Sequence, residues 1–153
     1  MSAEKPVLLA RPHAFIVNEM RPFLEGAGYT PQRLESLDQL AAALARPLRG
    51  AIISTAVTSS VNADAATVFQ RVRAAAPRLP IVFAGMADWE TMRTTAERAV
   101  KAIVPSPSIQ SPQSYRPAGS QDRDSTFLVL RKDDLVDAAL RESALRALRA
   151  HFG

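Results

Sequence analysis

Two strand-like runs in this chain of 153 residues end in side chains able to do chemistry. Pro6-Val-Leu-Leu-Ala10 is followed by Arg11, Pro12 and His13, and Gly50-Ala-Ile-Ile-Ser-Thr-Ala-Val57 carries Ser54 and Thr55. With Thr58, Ser59 and Ser60 the second run forms a hydroxyl cluster, and a guanidinium beside it suits capture of a small anion. In ordinary loops the same hydroxyls satisfy nearby backbone groups. Asp64 is the only acid between this run and the apolar stretch after it, and its position before Ala65 suits a helix cap. No acid pair stands near either run. The absence of cysteine removes thiol nucleophiles, thiolate metal sites and disulfides. His13 and His151 lie at opposite ends of the chain with no paired acid in a recognisable pattern, so both are expected to be solvated or capping groups. No catalytic residue, metal or cofactor is expected, and the chain is expected not to be an enzyme.

Side chains at the ends of strands must be positioned by a sheet. Pro6–Ala10 and Gly50–Val57 are too short for core helices and rich enough in β-branched residues for buried strands. Tyr29–Leu34 is a weaker strand, placed near an edge because Pro31 cannot donate to a ladder. Leu79–Ala84 and Ala102–Pro105 complete a predicted set of five. Helical spacing predicts helices over 14–25, 37–46, 65–76 and 89–100, and a last one to about His151. Pro22 is expected to disturb the first helix and Gly26-Ala-Gly28 to stop it. Ser36 and Gln39 have capping-box spacing, Asp88 is placed to cap the fourth helix, and Asp133 or Asp134 the last. In the last helix Leu135, Val136, Ala139, Leu145 and Leu148 are expected to face inward. Strand–helix alternation with short links is the pattern of a parallel sheet covered on both faces.

One segment departs from that pattern. Residues 106–125 are rich in Ser, Pro, Gln, Gly and Arg, with Tyr115 the only large side chain that has an apolar body. A structureless loop of that length is uncommon within a compact domain and is often functional. Thr126–Leu130 then reads as an additional strand. The chain is therefore expected to be a single domain, 1–153, with an insertion at 106–130 before the C-terminal helix. Trp89, Tyr115 and Phe127 are candidate interface residues.

Composition limits the partners. An apolar fraction of 47% and a charged fraction of 22% are ordinary for a globular domain. The net charge of +4 is spread along the sequence without a Lys/Arg-rich run, which argues against nucleic acid. No run approaches the roughly 18 apolar residues of a membrane span, and the N-terminus lacks a signal-peptide pattern. A cytoplasmic protein with no membrane partner is expected.

The five strand–helix steps, Gly28-Tyr29 after the first helix, and Val104-Pro-Ser-Pro107 together resemble the receiver domain of bacterial response regulators, over roughly 5–107 and again in the last helix. The resemblance implies a flavodoxin-like fold with strand order 2-1-3-4-5. It also implies a set of functional positions: a phosphoacceptor Asp ending the third strand, an Mg²⁺-holding acid pair after the first, a Thr or Ser ending the fourth, and a Lys ending the fifth. Matched position by position, the acid pair falls on Arg11 and Pro12, the phosphoacceptor on Thr55 beside Ser54, the hydroxyl on Gly85 and the Lys on Ser106. None of the phosphorylation machinery is present at these positions. What the resemblance implies is a degenerate pseudo-receiver that is not phosphorylated and binds a protein partner or a second copy of itself. An alternative is a ligand-sensing domain that holds an anion near Arg11, Thr55 and Gly85.

Overall fold

The computed structural model describes residues 5–13, 16–56, 63–116 and 123–153. A six-stranded parallel sheet runs in the order β2-β1-β3-β4-β6-β5. Its strands are β1 (Pro6–Arg11), β2 (Thr30–Arg33), β3 (Gly50–Ser54), β4 (Ile81–Gly85), β5 (Ser108–Gln110) and β6 (Thr126–Arg131). The helices are α1 (Arg21–Gly26), α2 (Leu40–Leu44), α3 (Ala65–Ala75), α4 (Trp89–Val100), α5 (Lys132–Val136) and α6 (Ala138–Phe152). No helix among the described residues is long and apolar enough to cross a membrane.

Period-two alternation divides the strands between two cores. Val7, Leu9, Ile52, Val82 and Leu128 pack on one face with Phe23, Leu24, Leu148 and Phe152 from α1 and α6. Leu8, Ala51, Ile53, Phe83, Phe127 and Val129 pack on the other with Leu40, Phe69, Val72, Met92 and Val100 from α2, α3 and α4. Three rings anchor the second core: Phe69, Phe83 and Phe127 lie with centroids 5.5–6.2 Å apart. At the amino end of the sheet, the Phe152 ring lies so close over Gly50 that a Cβ there would come within 2.2 Å of it. Tyr29 meets the same ring edge-on at 5.7 Å and donates its hydroxyl to the Gly153 carbonyl at 3.1 Å.

The sheet differs from the predicted one at its far side. Residues 101–103 form a turn, not a fifth strand, and Ile103 is 43% exposed. Beside β4 runs β6, with Val82 opposite Leu128 and Gly85 opposite Arg131, and β5 is the outer strand beyond it. Both segments are apolar, but Thr126–Leu130 supplies five consecutive residues that can all be buried, whereas Pro105 cannot donate to a ladder. The sixth strand therefore lies inside the sheet.

The helices carry corrections of their own. A π-helical turn, Ile16–Met20, leads into α1, so that Pro22 falls near the start of an α-helix, where its missing N–H leaves no bond unmade. Gly28 has φ +96°, the left-handed conformation that ends the segment. Asp64 and Asp88 do cap α3 and α4, accepting from Thr67 N at 2.7 Å and Thr91 N at 2.8 Å. Ser36 makes no cap bond, since a single 3₁₀ turn, Leu37–Gln39, separates it from α2. The last helix is broken at Asp137, whose carboxylate caps α6. That break shifts the helical phase: Val136 is 68% exposed and Ala139 also faces solvent, while Leu135 and Leu148 stay buried.

Candidate functional site at the carboxyl ends of the strands

In a parallel sheet all carboxyl ends lie together, and here β1, β3, β4 and β6 end in Arg11, Ser54, Gly85 and Arg131. Arg11 is aimed by an irregularity in the ladder. Leu9 pairs with Ile52 but Arg11 with Ile53, so Ala10 is an extra residue in β1. Such a bulge twists a strand and redirects the side chain after it. Arg11 is 3% exposed. Its Nε donates to Ala63 O at 2.8 Å, and one terminal nitrogen donates to Ser54 O at 2.8 Å and to Ala56 O. The guanidinium thus holds together both ends of the connection from β3 to α3. The hydroxyls Thr58, Ser59 and Ser60, with Val57, lie outside the described residues. Burial lowers the Arg11 pKa, and the Asp64 carboxylate opposes that shift. A guanidinium nevertheless stays protonated in a protein.

The neighbouring groups are similarly engaged. Ser54 is buried and its Oγ accepts from Ala56 N at 3.0 Å. Thr55 N donates to Ala84 O at 2.9 Å, and its hydroxyl donates to Met92 Sδ at 3.2 Å. That hydroxyl occupies the space next to Gly85: a Cβ there would lie 2.4 Å from Thr55 Oγ1 and 2.9 Å from Met92 Sδ. Gly85 leaves room for the threonine. Pro12 follows Arg11 and is buried. The Asp64 carboxylate is held below the usual range by hydrogen bonds from Thr67, with Arg11 adding to the effect.

Ser106 does not join this group. It precedes β5, so in a parallel sheet it stands at the opposite, amino end, and the strand beside β4 ends instead in Arg131. Arg131 N donates to Asp134 Oδ2 at 2.8 Å, and its Nε lies 3.9 Å from the same oxygen. The other oxygen, Asp134 Oδ1, is buried without a hydrogen-bond partner among the described residues. Local spacing could not find Arg131, because its place depends on which of two apolar segments enters the sheet.

The interface candidates separate as well. Phe127 is 0% exposed at the centre of the second core and cannot reach a partner. Trp89 is half-buried against that core. Tyr115 is half-buried, and its hydroxyl lies 3.0 Å from His151 Nδ1. His151 is not solvated: it is 4% exposed, and its Nε2 lies 2.8 Å from Ile81 O. A carbonyl only accepts, so Nε2 carries the proton and in the neutral ring Nδ1 accepts from Tyr115. The histidine thus ties the inserted segment to the start of β4, through two partners too distant in sequence for any local pattern to reveal.

No family model matches the chain, and no curated protein matches it. Solved structures do. The signal receiver domain of an HD domain-containing protein from Pseudomonas fluorescens superposes with TM-score 0.59 at 14% identity, covering 99% of this chain and 89% of that one. The receiver domain of NtrX from Brucella abortus gives 0.58 at 14%, covering 97% and 98%. A response regulator receiver protein from Sinorhizobium medicae gives 0.52 at 18%, covering 97% of each.

The chain has the receiver fold.

Another NtrX structure from Brucella abortus matches with TM-score 0.58 at 15% identity, and there the chain spans only 28% of the NtrX length. Within the receiver fold, the flavodoxin-like arrangement is kept and one extra strand is added at the edge. The receiver fold also implies an Mg²⁺ site, and the residues here do not fit one. Mg²⁺ takes hard oxygen ligands, usually including one or two carboxylates. At this position a guanidinium already donates to three backbone oxygens, and among the described residues no three acids, histidines or cysteines come together to hold a metal.

Proposed function

We propose that this domain is a pseudo-receiver: a non-enzymatic module of bacterial signalling that is not phosphorylated through Asp and Mg²⁺ and acts by binding a protein partner or a second copy of itself. One observation carries the proposal. The Arg11 guanidinium lies buried at the ends of β1 and β3, donating to Ser54 O, Ala56 O and Ala63 O. A fixed cation of the protein itself takes the place of an exchangeable one, and no carboxylate stands at Ser54 or Thr55 to accept a phosphoryl group.

Exposed apolar side chains toward α4 and α5 support one surface for such a partner. Met86 follows β4 directly and is 59% exposed, Val136 ends α5 and is 68% exposed, and Trp89 opens α4 half-exposed. These replace Phe127 as candidate contacts. The ligand-sensing alternative loses support from the same geometry, since Arg11, Ser54 and Thr55 are committed to internal bonds. Incubation with acetyl phosphate or beryllofluoride and Mg²⁺, read by intact-mass spectrometry and by thermal unfolding, tests the proposal. No adduct and no shift are expected; stoichiometric labelling would overturn it.

A further inference from the structure

At the amino end of the sheet, away from Arg11, the loops α2–β3 and α3–β4 and the end of α6 enclose a cleft of about 540 Å³. Leu44, Leu48, Leu79 and Phe152 supply apolar lining, and Arg46, Arg49 and Arg78 stand at it, all three exposed. A second cleft of about 560 Å³ runs between α2 and α3, lined by Leu37, Leu40, Ala41, Leu44, Asp38 and Arg71 among others. Leu44 lines both, so the two clefts adjoin at the end of α2. Four arginines face one aspartate along them, an excess that accounts for most of the chain's net +4. None of the four is in an ion pair among the described residues. The walls are preformed: Pro47, Pro77 and Pro80 stiffen the two loops, and Phe152 is seated against Gly50.

We infer that this pair of clefts binds an acidic, leucine-bearing segment of a partner protein. Carboxylates of the segment pair with Arg46, Arg49 and Arg78, whose planar forks match a carboxylate bidentately. Its apolar side chains sit on Leu44, Leu48 and Leu79. Two neighbouring clefts that share Leu44, each with apolar lining beside arginine, suit an extended or helical peptide better than a compact anion. The inference rests on the interaction-module reading only in taking a protein as the partner. Its site is at the other end of the sheet, so phosphoryl labelling at Arg11 and Thr55 neither supports nor removes it.

The test is fluorescence anisotropy with a labelled peptide of glutamates carrying a leucine at every third or fourth position, titrated with the full chain. Its controls are a lysine-for-glutamate version and inorganic pyrophosphate as competitor. Expected is saturable binding tighter than about 1 mM that weakens at least about fivefold as salt rises from about 50 to about 300 mM, the screening expected for exposed charges. Charge reversal in R46E/R49E/R78E is expected to abolish binding. These side chains are exposed, so the variant should keep its circular dichroism spectrum and melting transition; if it does not, R78E alone replaces it, with a loss of about tenfold expected. Three results would each overturn the inference: no binding to about 1 mM, unchanged binding in the charge-reversed protein, or equal binding of the lysine peptide. Complete displacement by pyrophosphate at comparable concentration would also overturn it, by assigning the clefts to small anions.

Discussion

Replacing Arg11 tests whether the guanidinium holds the carboxyl end of the sheet together. R11M keeps much of the stem and removes the donors to Ser54 O, Ala56 O and Ala63 O. Hydrogen bonds to a charged group contribute about 1.5–3 kcal/mol each when buried, and carbonyls left dry add their own cost. Only the bond to Ser54 O is fully buried, and the other two are partly open to solvent. Counting the buried bond at about 2 kcal/mol and each partly open one at about 0.5 kcal/mol, the low end for an ordinary hydrogen bond, gives a loss of about 3 kcal/mol. That is more than a hundredfold in the unfolding equilibrium and, for a domain of about 150 residues, a fall in Tm of about 6–12 °C. Urea unfolding followed by circular dichroism measures it, with an unchanged slope indicating an intact native state. R11K keeps the charge on a single ammonium that cannot span three carbonyls, and should lose about half as much. A loss in R11M below about 0.5 kcal/mol, or an R11K indistinguishable from wild type, would refute the account of Arg11 as a forked clamp.

Gly85→Ala should destabilise by about 1–3 kcal/mol, because the new Cβ meets Thr55 Oγ1 and Met92 Sδ, and Thr55→Ala should relieve much of that loss; additive effects in the double-mutant cycle would contradict the contact. The capping carboxylates Asp64 and Asp88 both sit below their ordinary pKa because of hydrogen bonds from Thr67 and Thr91. A depressed carboxylate contributes stability that is present above its unfolded value, about 3.9, and is lost as pH falls through the folded one. D64N/D88N should therefore flatten the loss of stability below about pH 4, and an unchanged acid limb in urea unfolding at stepped pH would contradict it.

Features set by neighbours in sequence were legible in the chain. Asp64 and Asp88 could be assigned as caps because cap and recipient amide are three residues apart. The buried strands β3 and β4 followed from short runs of apolar and β-branched residues. Features settled by distant contacts were not legible. Segments 102–105 and 126–130 look alike locally, and the choice between them depends on which can be buried along its whole length beside β4. Arg11 reads in sequence as a loop arginine, because its acceptors lie 43–52 residues away and are main-chain oxygens that leave no trace in residue type. His151 was hidden for the same reason, with partners 36 and 70 residues distant. The Ser36 spacing misled in the opposite direction: the local signal was present, but the chain completes only one 3₁₀ turn before α2 begins.

The outer strand β5 bears on contacts between two copies of this chain. Without β5, β6, buried from Thr126 to Leu130, would end the sheet and expose a long apolar ladder to any strand passing by. Instead the rim is Ser108–Gln110, three residues and about 10 Å of backbone, none of them fully buried. So short a rim gives an incoming strand little to zip onto, a common defence against uncontrolled sheet growth. At this edge, a contact between two copies would thereby be directed away from sheet-to-sheet extension and toward helices and loops, where side chains choose the partner.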